Sequence, residues 1–156
     1  MISPVDITVN VRRFANYAAP MSQTVAELGW VIIYVPDVRE ALAFYERAFG
    51  LEPGGIDAHA TFGQLQTGST ALSFATEDRA RAELRHPFRP GTLDTEPANL
   101  ALSFVFDDPY TAFDRAVSAG CVPLAPVEPK PHGQHVGIVR DRYGTIVEIG
   151  SPLDPA

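Results

Sequence analysis

The sequence predicts an α+β fold of two βαβββ modules, and three observations predict it. A β-rich run, a Pro/Asp helix start, a helical periodicity and a closing glycine follow one another over residues 28–50. The same order returns over residues 100–120, an internal repeat. After each copy come shorter β-rich runs punctuated by glycine turns. The 14 prolines argue against a helical bundle.

Leu28 to Val35 is the first strand run, ended by Pro36. Asp37 follows as N-cap, because its carboxylate can accept from the free N–H groups of a first helical turn. Val38, Ala41, Leu42, Tyr45, Ala48 and Phe49 then keep helical spacing, and Gly50 stands where a helix-ending glycine belongs. Pro53-Gly54-Gly55 reads as a turn, with strands expected at 56–60, 61–66 and 70–75. Glu77 to Leu84 could form a short helix, and residues around His86 to Pro97 read as loop. The second module opens with a strand at 100–106. Asp108-Pro109 then starts a helix with Ala112, Phe113, Ala116 and Ala119 on one face, closed by Gly120. Strands follow at 121–127, interrupted by prolines, at 135–140 and at 145–149. Asp6 to Val11 alternates and could be an edge strand. The organisation is therefore an N-terminal extension (1–25), a first module (26–76), a linker (77–98) and a second module (99–156), within one compact domain.

Composition narrows the function. The chain of 156 residues carries 12 Lys and Arg against 19 Asp and Glu, a net charge of −7. An acidic surface repels phosphates, so neither nucleic acid nor an anionic membrane is an expected partner. No basic and apolar leader is visible, and no apolar run has the length of a membrane span. The single cysteine, Cys121, cannot form an internal disulfide and fits a reducing cytoplasm. Cytoplasmic localisation is the expectation, and the richness in Ala, Arg and Pro hints at a bacterial source.

Four segments carry a family resemblance: Val31-Ile-Ile-Tyr-Val-Pro-Asp-Val38, Ala43-Phe-Tyr-Glu-Arg-Ala-Phe-Gly-Leu51, Pro131-His-Gly-Gln134 and Arg140-Asp-Arg-Tyr-Gly-Thr-Ile-Val-Glu-Ile149. With them the sequence resembles the vicinal oxygen chelate superfamily, which includes glyoxalase I, extradiol dioxygenases and bleomycin-resistance proteins. The resemblance implies that the two modules form a curved, cup-shaped sheet, and that the protein is a homodimer. It also implies where a metal would sit in the metal-dependent members: the first and fourth strands of each module, here Trp30, Ser73, Ala101 and Glu148. Trp and Ala cannot ligate and Ser is a poor ligand, so the expectation is no metal and no other cofactor.

Strand alternation supports the same placement. Val31, Ile33, Val35, Leu72, Phe74, Leu102, Phe104, Phe106, Val147 and Ile149 are expected to pack on helices. Trp30, Ile32, Tyr34, Ala71, Ser73, Ala75, Ala101, Ser103, Val105, Ile146 and Glu148 are expected to face the cup. A face of aromatic and small side chains with one acid suits a flat organic molecule better than a metal centre. Trp30 and Tyr34 would stack on a ligand; Phe62 would form wall, and Gln64, Ser73 and Ser103 would contact it. His132 is expected at the rim, and His135 in the cup with Gly137 and Val139. The bland alternative for Trp30 and Phe62 is ordinary core. Glu148 could act as a general base, or anchor a cationic or hydroxylated ligand, or merely pair with an arginine. His59, His135 and Glu148 together are a conceivable non-standard metal site. Cys121 reads as a small buried apolar residue and His86 as solvent-facing.

The expected function is a metal-free binding protein resembling bleomycin-resistance proteins, sequestering a hydrophobic or aromatic compound such as an antibiotic. The alternative is a glyoxalase- or dioxygenase-like enzyme, a lyase, isomerase or oxygenase using Glu148, with or without zinc, nickel, manganese or iron. A third reading has the cup plugged by its own side chains.

Overall fold

The computed structural model describes residues 25–153. The expected N-terminal extension and its edge strand at 6–11 lie outside the described residues. The element order is β1 (Trp30–Val35), α1 (Val38–Phe49), β2 (Pro53–Ile56), β3 (Phe62–Leu65), β4 (Ala71–Thr76), α2 (Glu77–Leu84), β5 (Ala101–Val105), α3 (Pro109–Ser118), β6 (Val122–Pro129), β7 (His135–Arg140) and β8 (Ile146–Gly150). This is the expected α+β fold of two βαβββ modules, and the short helix expected at 77–84 is present as α2. The described chain divides into two compact units: 25–42 with 51–85, and 43–50 with 86–153.

In the first unit the sheet order is β1-β4-β3-β2, with β1 parallel to β4 and the other pairs antiparallel. Asp37 caps α1 as expected, accepting from Glu40 N at 3.0 Å. Gly63 shows which face of the sheet meets α1. A Cβ there would lie 2.8 Å from Leu42 Cδ1 and 3.0 Å from Val38 Cγ1, so the glycine lets the helix side chains approach the strand closely. Leu65, Leu72 and Phe74 share that face and are buried.

The region 53–61 corrects the expectation. Pro53-Gly54-Gly55, read as a turn, and Ile56, read as the start of a strand at 56–60, together form strand β2, and the turn falls on 57–61. Asp57 is the cause. Its carboxylate accepts from Thr61 N at 2.7 Å and Thr61 Oγ1 at 2.6 Å, a side-chain closure that competes with strand pairing. Arg79 of α2 reaches the same carboxylate at 3.4 Å and lies 5.3 Å from the centre of the Phe62 ring. Thr76 caps α2, accepting from Arg79 N at 3.3 Å.

In the second unit the order is β5-β8-β7-β6, with β5 parallel to β8. Asp108 caps α3, accepting from Tyr110 N and Thr111 N, both at 3.1 Å, and Pro109 opens the helix. Phe44, Tyr45, Ala48 and Phe49 are buried with Val139, Val147 and Ile149, and Phe49 meets Phe104 at 5.4 Å between ring centres. Strand β6 contains Pro123, Pro126 and Pro129, sits at the sheet edge and shifts register twice, as proline requires of a strand it cannot fully bond. Residues 91–95 press against the β7–β8 turn. A Cβ on Gly91 would lie 2.5 Å from Tyr143 O, and one on Gly144 (φ +87°) 2.3 Å from Thr92 O. Arg140 fastens this contact, donating to Gly144 O, Thr92 O and Thr95 O at 3.0 to 3.1 Å.

Candidate functional site

Each unit presents one sheet face away from its packed helix. In the first unit the registers align Ile32, Ser73 and Gln64 in one row across β1, β4 and β3. Tyr34, Ala75 and Phe62 form the next row, and Trp30 and Ala71 flank the other side. The expected residues Trp30, Tyr34, Phe62, Gln64 and Ser73 therefore share a face. The side chains that the strands contribute to it are uncharged, and the Arg79 guanidinium lies over Phe62 at one end. Trp30 and Tyr34 on β1 flank the small side chains of β4 on one side, and Phe62 and Gln64 on β3 flank them on the other. Ile32 is 46% exposed, whereas Ser73 and Gln64 are buried. Trp30 Nε1 donates to Gln64 Oε1 at 3.2 Å.

The corresponding face of the second unit is more polar. Ser103, Glu148 and Ile138 form one row, Ala101, Ile146 and Arg140 another. Glu148 is half-buried and Ser103 is exposed. Arg140 shares the face of Glu148 but spends its guanidinium on backbone carbonyls. Its placement was missed; the signal was Gly137, whose smallness marks the opposite parity as the helix side.

That parity corrects His135. A Cβ on Gly137 would lie 2.7 Å from Phe113 of α3 and from Val127. Gly137 and Val139 thus face the helix, and His135, two residues before Gly137, shares their parity. Its Nδ1 lies 2.9 Å from the hydroxyl of Tyr110, in the first turn of α3. His135 is consequently on the side of the sheet opposite Glu148, and the conceived metal set of His59, His135 and Glu148 does not assemble. His132 is exposed in the loop before β7, its Nε2 2.9 Å from Gln134 Oε1. Gln134 in turn donates to Ser151 O at 2.7 Å, so His132 rests on a loop tied to the chain after β8.

The donor set does not fit the family's metal. Trp30 and Ala101 offer no ligand atom, and among the described residues no three of His, Cys, Asp and Glu come together to hold an ion.

Two buried groups lie elsewhere in the second unit. Asp141, at the β7–β8 turn, accepts from Tyr143 N and Thr145 N at 2.8 Å and from the Tyr45 hydroxyl at 2.5 Å. Burial pushes its carboxyl above the ordinary range, and burial, followed by the neighbouring Asp141, pushes the Tyr45 hydroxyl well above its own. Cys121 is buried as expected, its thiol raised to about 12 by burial and by Asp141, which leaves it unreactive as a nucleophile.

The family model described as the Glyoxalase/Bleomycin resistance protein/Dioxygenase superfamily matches residues 27–149. Among solved structures, the chain is similar to a glyoxalase-related enzyme from Fulvimarina pelagi, with 21% identity, 82% of this chain and 89% of that one covered, and a TM-score of 0.69. A glyoxalase/bleomycin resistance protein/dioxygenase family enzyme from Burkholderia phytofirmans PsJN shares 20% identity over 81% of this chain and 98% of that one, with a TM-score of 0.66. TioX from Micromonospora sp. ML1 shares 19% identity over 81% and 98%, with a TM-score of 0.59. At these identities the likeness is one of fold. No curated protein matches the sequence.

Proposed function

Because the chain belongs to the Glyoxalase/Bleomycin resistance protein/Dioxygenase superfamily, we propose that it is a small-molecule binding protein of the bleomycin-resistance kind, sequestering a hydrophobic or aromatic compound without a metal. The observation that carries this reading is the sheet face of the first unit, where the uncharged Trp30, Tyr34 and Phe62 flank the small side chains of β4. Aromatic side chains flanking small ones suit a flat ring, because stacking and apolar burial supply the affinity while a few polar atoms orient the ligand. The test is titration of tryptophan fluorescence with a panel of aromatic antibiotics, repeated on Trp30→Phe. Saturable quenching in the wild type is expected; none across the panel removes the reading.

A second reading keeps an enzyme. Glu148 stands beside Ser103 across β5 and β8, an acid and a hydroxyl on one face, and a carboxylate so placed can take a proton from a bound metabolite. Under this reading Glu148→Gln loses turnover while ligand affinity stays. A divalent ion would need ligands beyond those at the family's positions, and elemental analysis after incubation with zinc, nickel, manganese and iron measures whether one is retained.

The same proposal includes a homodimer. β1 and β5 each end a sheet, and Ile32 and Val105 on them are 46% and 60% exposed. Open apolar strand edges are covered in most proteins, and a second copy is the cover proposed here. Sedimentation equilibrium tests it, a monomer throughout being the contrary result. No described helix is long and apolar enough to cross a membrane; the lone cysteine supports assignment to the cytoplasm.

A further inference from the structure

The strand order of the first unit places β4 between β1 and β3. Those outer two strands are therefore about 10 Å apart. Yet Trp30 of β1 and Gln64 of β3 meet in a hydrogen bond of 3.2 Å. The bond must pass over β4, on the face where β4 presents Ala71, Ser73 and Ala75. Ser73 is fully buried there, and its Oγ has no hydrogen-bond partner among the described residues. A hydroxyl buried without a partner is uncommon in native proteins and carries an energetic cost. Its row neighbour on β1 is Ile32, which has nothing to offer; on β3 it is Gln64, whose amide oxygen is engaged by Trp30.

We infer that the Trp30–Gln64 bridge is a latch closed over a hydrogen-bonding subsite at Ser73, and that the subsite takes an uncharged planar compound carrying a carbonyl or hydroxyl group. The inference rests on the binding reading above and specifies its ligand. Swinging the indole aside breaks its bond to Gln64 Oε1 and uncovers the Ser73 hydroxyl in one movement. Ala71 and Ala75 leave room for a flat ring on either side of that hydroxyl. The hydroxyl can donate or accept, so either a carbonyl or a hydroxyl group satisfies it. A carboxylate or an ammonium would be desolvated on a face whose strand side chains are uncharged, and the Arg79 guanidinium over Phe62 is already paired with Asp57 and Glu83, which disfavours both.

Four probes on one skeleton test this: 1-naphthamide, 1-methylnaphthalene, 1-naphthoate and 1-naphthylmethylammonium, followed by calorimetry and proton NMR. Trp30 is the only tryptophan, so its indole N–H gives a single resonance. On adding 1-naphthamide that resonance is expected to move upfield and exchange faster as the bond to Gln64 opens. 1-Naphthamide should bind most tightly and the two charged probes at least about tenfold more weakly. Ser73→Ala should raise Tm by about 2–4 °C, because it removes an unsatisfied buried hydroxyl. It should also cut the advantage of 1-naphthamide over 1-methylnaphthalene by roughly 3- to 10-fold. A lowered Tm in Ser73→Ala overturns the inference, since the hydroxyl would then have a structural partner. Equal binding of all four probes, unchanged by Ser73→Ala, overturns the subsite but leaves sequestration standing. Binding of none of them removes sequestration, and the subsite with it.

Discussion

Tyr45 and Asp141 are 96 residues apart in sequence and share a hydrogen bond of 2.5 Å with both side chains fully buried. The phenol of α1 thereby completes an acceptor whose other oxygen holds the β7–β8 turn. Asp141→Ala leaves the hydroxyl and two backbone N–H groups without their acceptor, and should destabilise the fold by about 3 kcal/mol or more. Asp141→Asn keeps an acceptor for the two N–H groups and should cost far less. The carboxyl of Asp141 is raised by burial, so its favourable contribution is complete below the unfolded-state value and is lost as pH rises through the folded one. Denaturant melts of wild type and Asp141→Asn across that window should show the Asn variant gaining on wild type as pH rises.

Asp57 titrates in the opposite sense. Burial pushes its carboxyl up, but the bonds from Thr61 and Phe62 and the Arg79 guanidinium outweigh it, and the value falls below the ordinary 3.8. A depressed carboxyl contributes stability above the unfolded value, and that contribution disappears as pH falls through the folded one. Wild type should therefore exceed Asp57→Asn in Tm at neutral pH, with the gap closing only below about pH 4. A gap that persists at pH 2 would assign the effect to the geometry of the turn rather than to charge.

Arg140 holds the segment 92–95 through carbonyl oxygens alone. Arg140→Ala should lower stability by about 1–3 kcal/mol, and hydrogen exchange should rise within 91–97 rather than across β5 or β8. Arg140→Lys cannot reproduce a planar fork with several donors and should behave more like alanine than like wild type. Uniform deprotection of the unit in Arg140→Ala would show that this fastening is not local.

Gly137→Ala tests the face assignment on which the placement of His135 rests. Its Cβ would enter 2.7 Å from Phe113 and Val127, overpacking worth about 1–3 kcal/mol. Trimming the obstacle in Gly137→Ala/Phe113→Leu should recover part of the loss. A neutral Gly137→Ala would put this residue, and His135 with it, on the other face.

What the sequence made legible was local or periodic. Asp37, Gly50, Asp108 and Pro109 mark helix ends through their own backbone chemistry, and the alternation Val31/Ile33/Val35 against Trp30/Ile32/Tyr34 follows from the pleat alone. Errors fell where a side chain overrides the local pattern. Asp57 turns the chain where strand was expected, and Pro53-Gly54-Gly55 pairs as a strand despite its turn composition. β7 has the expected bounds, but His135 falls on the other face because the alternation of a strand does not by itself say which parity meets the helix, and exchanging the two inverts every side chain. Contacts such as Tyr45–Asp141 and Trp30–Gln64 depend on chain closure over 96 and 34 positions, which no local signal encodes. Five of the eight expected ligand-contact residues are Gln, Ser or His, and only the register shows which of them stand on a common face.

The sealed position of Cys121 makes the molecule its own stopwatch. With its thiol at about 12, only about one molecule in ten thousand would carry a thiolate at pH 8, even before steric closure is counted. A disulfide reagent therefore scores openings of the second unit, one event per chain, since no second cysteine competes. The labelling rate at saturating reagent gives the opening rate, and at low reagent the opening equilibrium. Any compound that binds only the closed form must slow that rate in proportion to its occupancy, so an unlabelled, uncoloured ligand can be detected by the delay it imposes on one sulfur.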